Sequence, residues 1–473
     1  MKNSFLDLSI KQILNKYSEG TFDSVDVAKM CIDHVNSLEK YVHSWVKFDS
    51  DHLLSKAHDS LDNIKRGIIR SLEGIPIGVK DIFNTVDFTT EMGSSLWKGF
   101  TPGNDARVVF ELKEAGGIIP GKTTTAEFAV HALDKTLNPH DSSRTPGTSS
   151  SGSAVATALG MVPAALATQT AGSIVRPASF CGIYGFKPSF GLIPRKGVLK
   201  TTDTLDSIGF FVTHLEDITN VFNILRVKGR DYPLSNFALN DISRQSSPIN
   251  RPWRVAFVRT HVDQFAESYA KESLNSWLKH IQKNCKEIEI DEINLPEIMN
   301  NAHEVHSTIY YKSLAYYFQK EYVNRESISS IMSKLINKGN LILNESFKNA
   351  LVIQEEMVEA MDSFFDKYDI LVSLSTAGVA PLRSQNEKPD TAFMWTMTYL
   401  PIISAPAFVS DQGLPFGVQL VSKRYNDFLL IRFAENLLNK GLLSKGPNPL
   451  SYLIKQGNQN RIDTYDRKEN LLT

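Results

Sequence analysis

Three groups of residues in this chain could do chemistry together. Lys80 closes the apolar run GIPIGVKD. Ser149, Ser150 and Ser151 lie in PGTSSSG, and Ser173 lies in TQTAGS. A serine hydroxyl is a weak nucleophile until a base takes its proton, and no histidine stands in an obvious catalytic setting, so the base falls to the lysine. An ammonium in an apolar strand is costly unless it is paired or gives up its proton. On the residues alone, a structural ion pair with Asp81 or a distant acid is an equal alternative. The turn carrying Ser173 follows a buried apolar run, and the backbone N–H groups of Thr170, Ala171, Gly172 and Ser173 can be aimed there at a developing oxyanion. Taken singly, either serine run reads as an ordinary turn.

Other patterns compete. Gly116 to Thr123, GGIIPGKT, fits the phosphate-loop expression GxxxxGK[ST] and would suggest a nucleotide-binding protein. Its setting argues against that reading, because it follows a helix, contains Ile118-Ile119, and puts Pro120 where a backbone donor is needed. Ser268 and Lys271 make a lone SxxK without its partner motifs. His303, Glu304 and His306 form HExH, one residue short of the zinc-protease spacing, and read as a solvated helix face. Cys181 reads as a small buried residue and not as a second nucleophile.

The elements that must position these groups are legible in outline. Helices are expected at ILNKY, at a segment opening on Asp23 with Asp26 three residues on, and at LLSKAHDSLDNIKR. The run 74–79 reads as a buried strand with Lys80 at its end, 105–115 as an amphipathic helix and 117–119 as a short strand. A small-residue helix over Ser153 to Met161 precedes a strand over Val162 to Thr168. Alternating helices and strands point to the α/β class. Further helices are expected over Ser273–Asn284, Ile298–Glu321, Ile328–Lys338 and Glu345–Tyr368. A polar linker runs from Asn240 to Pro252 before the strand WRVAFVR. ILVSL, PIISAPAF and PFGVQLVSK read as strands, Asp427 to Asn439 as a closing helix, and the tail from Asp463 as frayed. These readings divide one α/β domain into a helical entry (1–66), a core with the chemical residues (67–224), a mainly helical substrate-facing region (225–368) and closing strands with a helix (369–473).

Composition narrows the class. The chain has 473 residues, 42% hydrophobic and 22% charged, and 51 Lys+Arg balance 52 Asp+Glu for a net charge of −1. No overall field draws in nucleic acid or an anionic membrane. The three cysteines, Cys31, Cys181 and Cys285, suit reduced thiols better than a disulfide framework. Neither a signal peptide nor an 18-residue apolar run is recognisable, so a cytoplasmic protein is expected.

The stretch from PGTSSSG through TQTAGS to PASFCGIYGFKP resembles the amidase signature family, whose core looks like GGSSGG, a gap, TDTGGS and a PAxFCGxxGxKPT tail. Ser149 and Ser173 are 24 residues apart, and Lys80 precedes Ser149 by 69, as in that family. The likeness extends over GKTTTAEFA and NPH and, more weakly, over DILVSLSTAGVAP, PIISAPAF and GLPFGVQLVSKRYND. It is least at 225–345.

The resemblance implies a large mixed, twisted β-sheet covered by helices on both faces. It implies Ser173 as nucleophile, Ser149 as bridging serine aimed by a cis Thr148–Ser149 peptide, Lys80 as base, and Ser150 in the supporting network. Three departures stand out: Thr148 replaces a glycine, Gln169 the common aspartate, and Ala171 a glycine. Arg176 comes one place late, so the Gln169 amide with Arg176 is expected to replace an Asp–Arg pair. Phe83, Met92, Phe128, Thr148, Tyr310, Tyr311, Trp395 and Met397 are candidates for lining a substrate pocket. The expected activity is hydrolysis of a linear carboxamide, with esterase activity alongside and no metal or organic cofactor. The partner is a small-molecule amide, with neither nucleic acid nor membrane, and pairing of two copies is left open. The rivals are an amidotransferase-type subunit, an acyl-transferring amide synthase, the nucleotide binder of residues 116–123, and a silent binding module.

Overall fold

The computed structural model describes residues 4–227, 241–247 and 249–450. The fold is α/β, with helices covering a mixed sheet of eleven strands. In chain order these are β1 (Trp45–Phe48), β2 (Ile77–Lys80), β3 (Gly121–Thr123), β4 (Ala164–Gln169), β5 (Tyr184–Lys187), β6 (Ser207–Val212), β7 (Trp253–Val258), β8 (Ile288–Ile293), β9 (Ile370–Leu374), β10 (Ile402–Val409) and β11 (Pro415–Ser422). Across the sheet the order is β1-β3-β2-β4-β6-β5-β10-β11-β9-β7-β8.

The order explains how a distant lysine and serine can share one edge. β2 runs parallel to both neighbours, pairing Val79 with Lys122 of β3 and with Leu166 of β4. Lys80 ends β2, while β4 runs on to Gln169, so Lys80 and the turn holding Ser173 emerge at the carboxyl ends of adjacent parallel strands. That is where open α/β sheets bind ligands. All four residues of β2 and almost all of β4 are buried, as apolar strands covered on both faces must be.

The helical entry forms as its caps dictate. Asp23 accepts from the N–H groups of Val25 and Asp26, and Asp26 returns the bond, in a reciprocal cap for the helix Ser24–Val42. The small-residue helix runs from Ser151 to Ala158, beginning two residues and ending three residues before the expected bounds, and Gly160 follows it at φ 61°. The strand expected at 117–119 is only a bridge between Ile118 and Pro76, and the strand proper is β3. Gly121 explains the shift: a Cβ there would lie 2.0 Å from the Lys47 carbonyl oxygen of β1, so only glycine lets the two strands pair.

The span from 225 to 368 is less purely helical than its composition suggests. It contributes β7 and β8, a parallel pair that closes one end of the sheet against β9. β8 escapes notice because IEIDEI is an edge strand with a single fully buried residue. The long helix expected from Ile298 resolves into a turn at Glu297–Asn301, the helix Ala302–Tyr317 and a short helix Gln319–Val323. Within the expected linker the structure has a helix at Ile242–Ser246, while Asn240 and Pro248 lie outside the described residues, as does the tail from Asp463. Among the described residues no helix is long and apolar enough to cross a membrane.

Candidate active site

Lys80 is fully buried, and its Nζ lies 2.9 Å from Ser149 Oγ, 3.0 Å from Ser150 Oγ and 2.9 Å from Thr168 Oγ1. No carboxylate pairs with it among the described residues. Burial therefore pushes the ammonium down to about 7, with only distant help for the charge from Asp134 and Asp206. Asp81, the alternative partner, is engaged elsewhere. It pairs at 3.1 Å with Lys122 Nζ, which also donates to the carbonyls of Phe83 and Thr89 and to Thr90 Oγ1.

Ser149 follows a cis peptide bond from Thr148. The loop is seated on the helix Val175–Cys181, which begins two residues after Ser173. A Cβ on Gly147 would lie 2.9 Å from Pro177 Cα, which accounts for glycine there, with φ at 91°. Arg176 ties the two together. Its guanidinium donates to the Thr148 carbonyl at 2.6 Å and to Thr148 Oγ1 at 3.2 Å, and it pairs with Glu387 and Asp390. Glu387 in turn accepts from Thr148 Oγ1 and Thr145 Oγ1. The threonine that replaces a glycine thus brings a hydroxyl that is used.

The turn after β4 is held from several sides. Gln169 Oε1 accepts from the N–H groups of Ile174 and Val175 at 2.8 and 3.0 Å, which orients its Nε2 towards Thr396 Oγ1 at 2.9 Å. Thr396 Oγ1 donates onward to the Ala171 carbonyl at 2.9 Å. The Thr170 carbonyl accepts from His306 Nε2 at 3.0 Å, and the Gly172 carbonyl from Arg176 N–H at 2.8 Å. The N–H groups of Ala171, Gly172 and Ser173 donate to no protein acceptor among the described residues. Three clamped carbonyls with free N–H groups between them make a surface suited to an anionic oxygen. Asp390 packs against Gly172, where a Cβ would lie 2.4 Å from the carboxyl carbon.

Two cavities flank this turn. One, of about 420 Å³, is lined by Ala171, Arg176, His306, Tyr310, Tyr311 and Phe393 among others. The other, of about 220 Å³, is lined by Ile82, Ala129, Thr168, Thr170, Leu199 and Ile208 among others. Phe128 and Ala129 both adopt positive φ, at 47° and 58°, a strained conformation of the kind that clusters at functional sites.

A family model described as Amidase matches residues 26–431. The chain belongs to the amidase signature family. Members of that family act at carbon–nitrogen bonds. A curated relative from Natranaerobius thermophilus, a glutamyl-tRNA(Gln) amidotransferase subunit, is 26% identical over 479 residues, 91% of this chain and 95% of its own. Two solved structures share the fold. The native peptide amidase of Stenotrophomonas maltophilia superposes with a TM-score of 0.79 at 20% identity, covering 93% of this chain and 98% of its own. The corresponding glutamyl-tRNA(Gln) amidotransferase subunit of Thermotoga maritima does so at 0.75 and 22%, covering 95% and 99%.

In this amidase-signature chain the expected partnership of Gln169 with Arg176 is replaced by separate ones: Gln169 bonds to Thr396 and Arg176 pairs with Glu387 and Asp390. The phosphate-loop match is taken up by the fold: Lys122 lies in β3, buried and paired with Asp81, and the N–H groups of Gly116, Gly117 and Ile118 donate to the carbonyls of Lys113, Leu112 and Ile75. HExH is only partly a solvated face. His303 and Glu304 are exposed, but His306 is buried against Tyr310 and Phe393 and reaches Thr170. Among the described residues no cluster of three or more His, Cys, Asp or Glu could hold a metal ion. Lys271 of the SxxK faces Asp263, far along the chain from the serine turns. Cys181 is buried with its thiol pushed up by burial and directed at the Pro146 carbonyl. Tyr310 and Tyr311 line the larger cavity, while Phe83, Met92, Phe128, Trp395 and Met397 are buried and line neither cavity. Glu387, Asp390, Thr396 and His306 are the contacts that sequence reasoning missed. All four lie beyond residue 300, far along the chain from the serine turns, and only HExH gave any signal, which pointed elsewhere.

Proposed function

We propose that this chain is an amidohydrolase that cleaves the carbon–nitrogen bond of a linear, non-peptide carboxamide through an acyl-enzyme on Ser173. Neutral Lys80 is the base. The Ser150 proton is committed to the Thr168 carbonyl at 3.2 Å, so Ser149 is the hydroxyl free to donate to the Nζ lone pair. Ser149 passes its proton to Lys80 and takes one from Ser173 as that oxygen bonds to the carbonyl carbon. The negative oxygen is stabilised by N–H groups of the turn from Thr170 to Ser173. On collapse the carbon–nitrogen bond breaks and the relay runs backwards, delivering the proton to the leaving nitrogen. Water then attacks the ester by the same route, releasing a carboxylic acid and restoring Ser173. An ester with similar acyl group would be cleaved alongside. The reading is set in the cytosol, in keeping with three cysteines that are all buried and unpaired.

One observation carries the proposal: a buried lysine surrounded by hydroxyls and without a carboxylate partner among the described residues. Labelling by a fluorophosphonate tests it. The wild type should be labelled on Ser173 and the Ser173→Ala variant should not, and labelling that survives the substitution would end the proposal. Competition by a small amide library against the same label would then define the acyl group.

A second reading is favoured by the glutamyl-tRNA(Gln) amidotransferase relatives, which align over nine-tenths of this chain. In it the same triad releases ammonia from an amide for use by a partner protein. Co-purification of a partner that raises amide turnover would support it, and full hydrolysis by the chain alone would set it aside.

A further inference from the structure

We infer that His306, on the helix Ala302–Tyr317, is a positioning residue for acyl transfer that holds the Thr170–Ala171 peptide of the oxyanion turn in its working orientation. The inference rests on the proposed role of Ser173 and adds to it a residue from the region where the likeness to the family is weakest.

A carbonyl oxygen can only accept, so the 3.0 Å contact requires His306 Nε2 to carry the proton and donate it to Thr170. Burial pushes the imidazole down to about 4, so it stays a neutral, single-tautomer donor through the neutral range. The ring cannot drift: it packs against Tyr310 at 5.8 Å and Phe393 at 5.3 Å between centroids. In a trans peptide the carbonyl and the following N–H point in opposite directions. Fixing the Thr170 oxygen towards His306 therefore turns the Ala171 N–H away from it, and a donor on that carbonyl also polarises the N–H. Thr396 and the Arg176 N–H serve the next two carbonyls in the same manner. Without His306 the first peptide of the series could rotate and present an oxygen where the reaction needs a hydrogen.

His306 and Ala171 also line the 420 Å³ cavity, so whatever fills it touches the clamp. The helical region thereby acts on the chemistry of the turn as well as on the shape of the pocket.

His306→Phe keeps an aromatic ring between Tyr310 and Phe393 and removes the donor, whereas His306→Gln keeps an N–H. The probe is a fluorophosphonate, whose phosphoryl oxygen develops charge where the oxyanion would. Direct loss of one oxyanion donor costs about 10²- to 10³-fold, so loss of its support should slow Ser173 labelling about 10- to 50-fold in His306→Phe. His306→Gln should label within about fivefold of wild type. On any carboxamide found to turn over, the loss should fall on kcat with KM little changed, a split that a general packing defect would not give. Should the Phe variant not fold, His306→Met is read in its place. A donor-free variant that folds and labels at the wild-type rate overturns the inference, and so does a folded Gln variant as slow as Phe. Failure of wild type to label on Ser173 is a different result: it removes the parent reading, and the inference with it.

Discussion

Two lysines stand on neighbouring strands of the same sheet, both almost wholly buried, and their surroundings could hardly differ more. Val79 pairs with Lys122 and Lys80 with Thr123, so the two side chains project to opposite faces. Lys122 meets a carboxylate, two carbonyls and a hydroxyl, a set that satisfies an ammonium. Burial pushes its amine down and the Asp81 carboxyl up to about 6, and their mutual attraction opposes both shifts. Lys80 meets three hydroxyls. A hydroxyl can donate as well as accept, so this surrounding suits a neutral amine, while the other suits a cation. Low pKa by itself marks nothing: Lys187 at the end of β5 is also pushed down to about 7, yet it donates to the Pro188 carbonyl and lies three strands from β2. What separates a base from a strut is the company of acceptors that can also give a proton.

The largest effect should come from removing the unpaired lysine. Lys80→Met should lower turnover by about 10³-fold or more, in the upper part of the range for a general base. Lys80→Arg should restore nothing, because a guanidinium stays protonated. In the wild type kcat/KM should rise about tenfold per pH unit below about 7 and flatten above it, as the amine becomes neutral. Stability should move the other way in the variant. The Lys80 pKa is below the unfolded value of about 10.4, so between about pH 7 and 10 the unfolded chain binds the extra proton. Lys80 therefore destabilises the fold at neutral pH and below, and that cost fades as pH rises. Thermal melts at pH 6.5 should find Lys80→Met more stable than wild type. A destabilised Met variant with wild-type turnover would erase the contrast between the two lysines.

The paired lysine should behave oppositely. Lys122→Met strands the Asp81 carboxylate in the core, and breaking one side of a buried pair costs about 3–5 kcal/mol. Denaturant unfolding should show that loss, and adding Asp81→Asn should recover part of it. Fluorophosphonate labelling per folded molecule should stay near wild type. Equal stability in Lys122→Met and wild type would mean that the pair contributes nothing.

The two lysines were not equally legible from the sequence. Lys80 could be read because an apolar strand ends on it and because the serine run that meets it is itself a small-residue turn. Lys122 sat inside a phosphate-loop pattern, and only Gly121, needed for β1 to approach, reveals why that pattern is there. The α/β class and the buried strands β2 and β4 follow from continuous apolar runs. β8 and the short strands β1 and β5 do not, since four residues or a single buried face give too little periodicity to read. The supports of the serine turns, Arg176 with Glu387 and Asp390, and Gln169 with Thr396, join residues more than 200 positions apart. Nothing local at either end predicts such a meeting.

The smallest expected effect is also the most direct attempt to turn one environment into the other. Thr168 Oγ1 lies 2.9 Å from Lys80 Nζ, at a half-buried position of β4. Thr168→Asp would put a carboxylate where Lys80 now has a hydroxyl, giving it the kind of partner that Lys122 has in Asp81. An adjacent opposite charge raises an amine's pKa by about one to two units in a site of this kind. At pH 7 the neutral fraction would fall from about half to between about a tenth and a hundredth, so kcat/KM should drop about 5- to 50-fold. The loss should be recoverable: the pH–rate curve should keep its shape, move its inflection to about 8 to 9, and approach the wild-type plateau above it. A flat loss at every pH would point instead to damaged geometry. An unmoved inflection would show that the ionisation near 7 does not belong to Lys80.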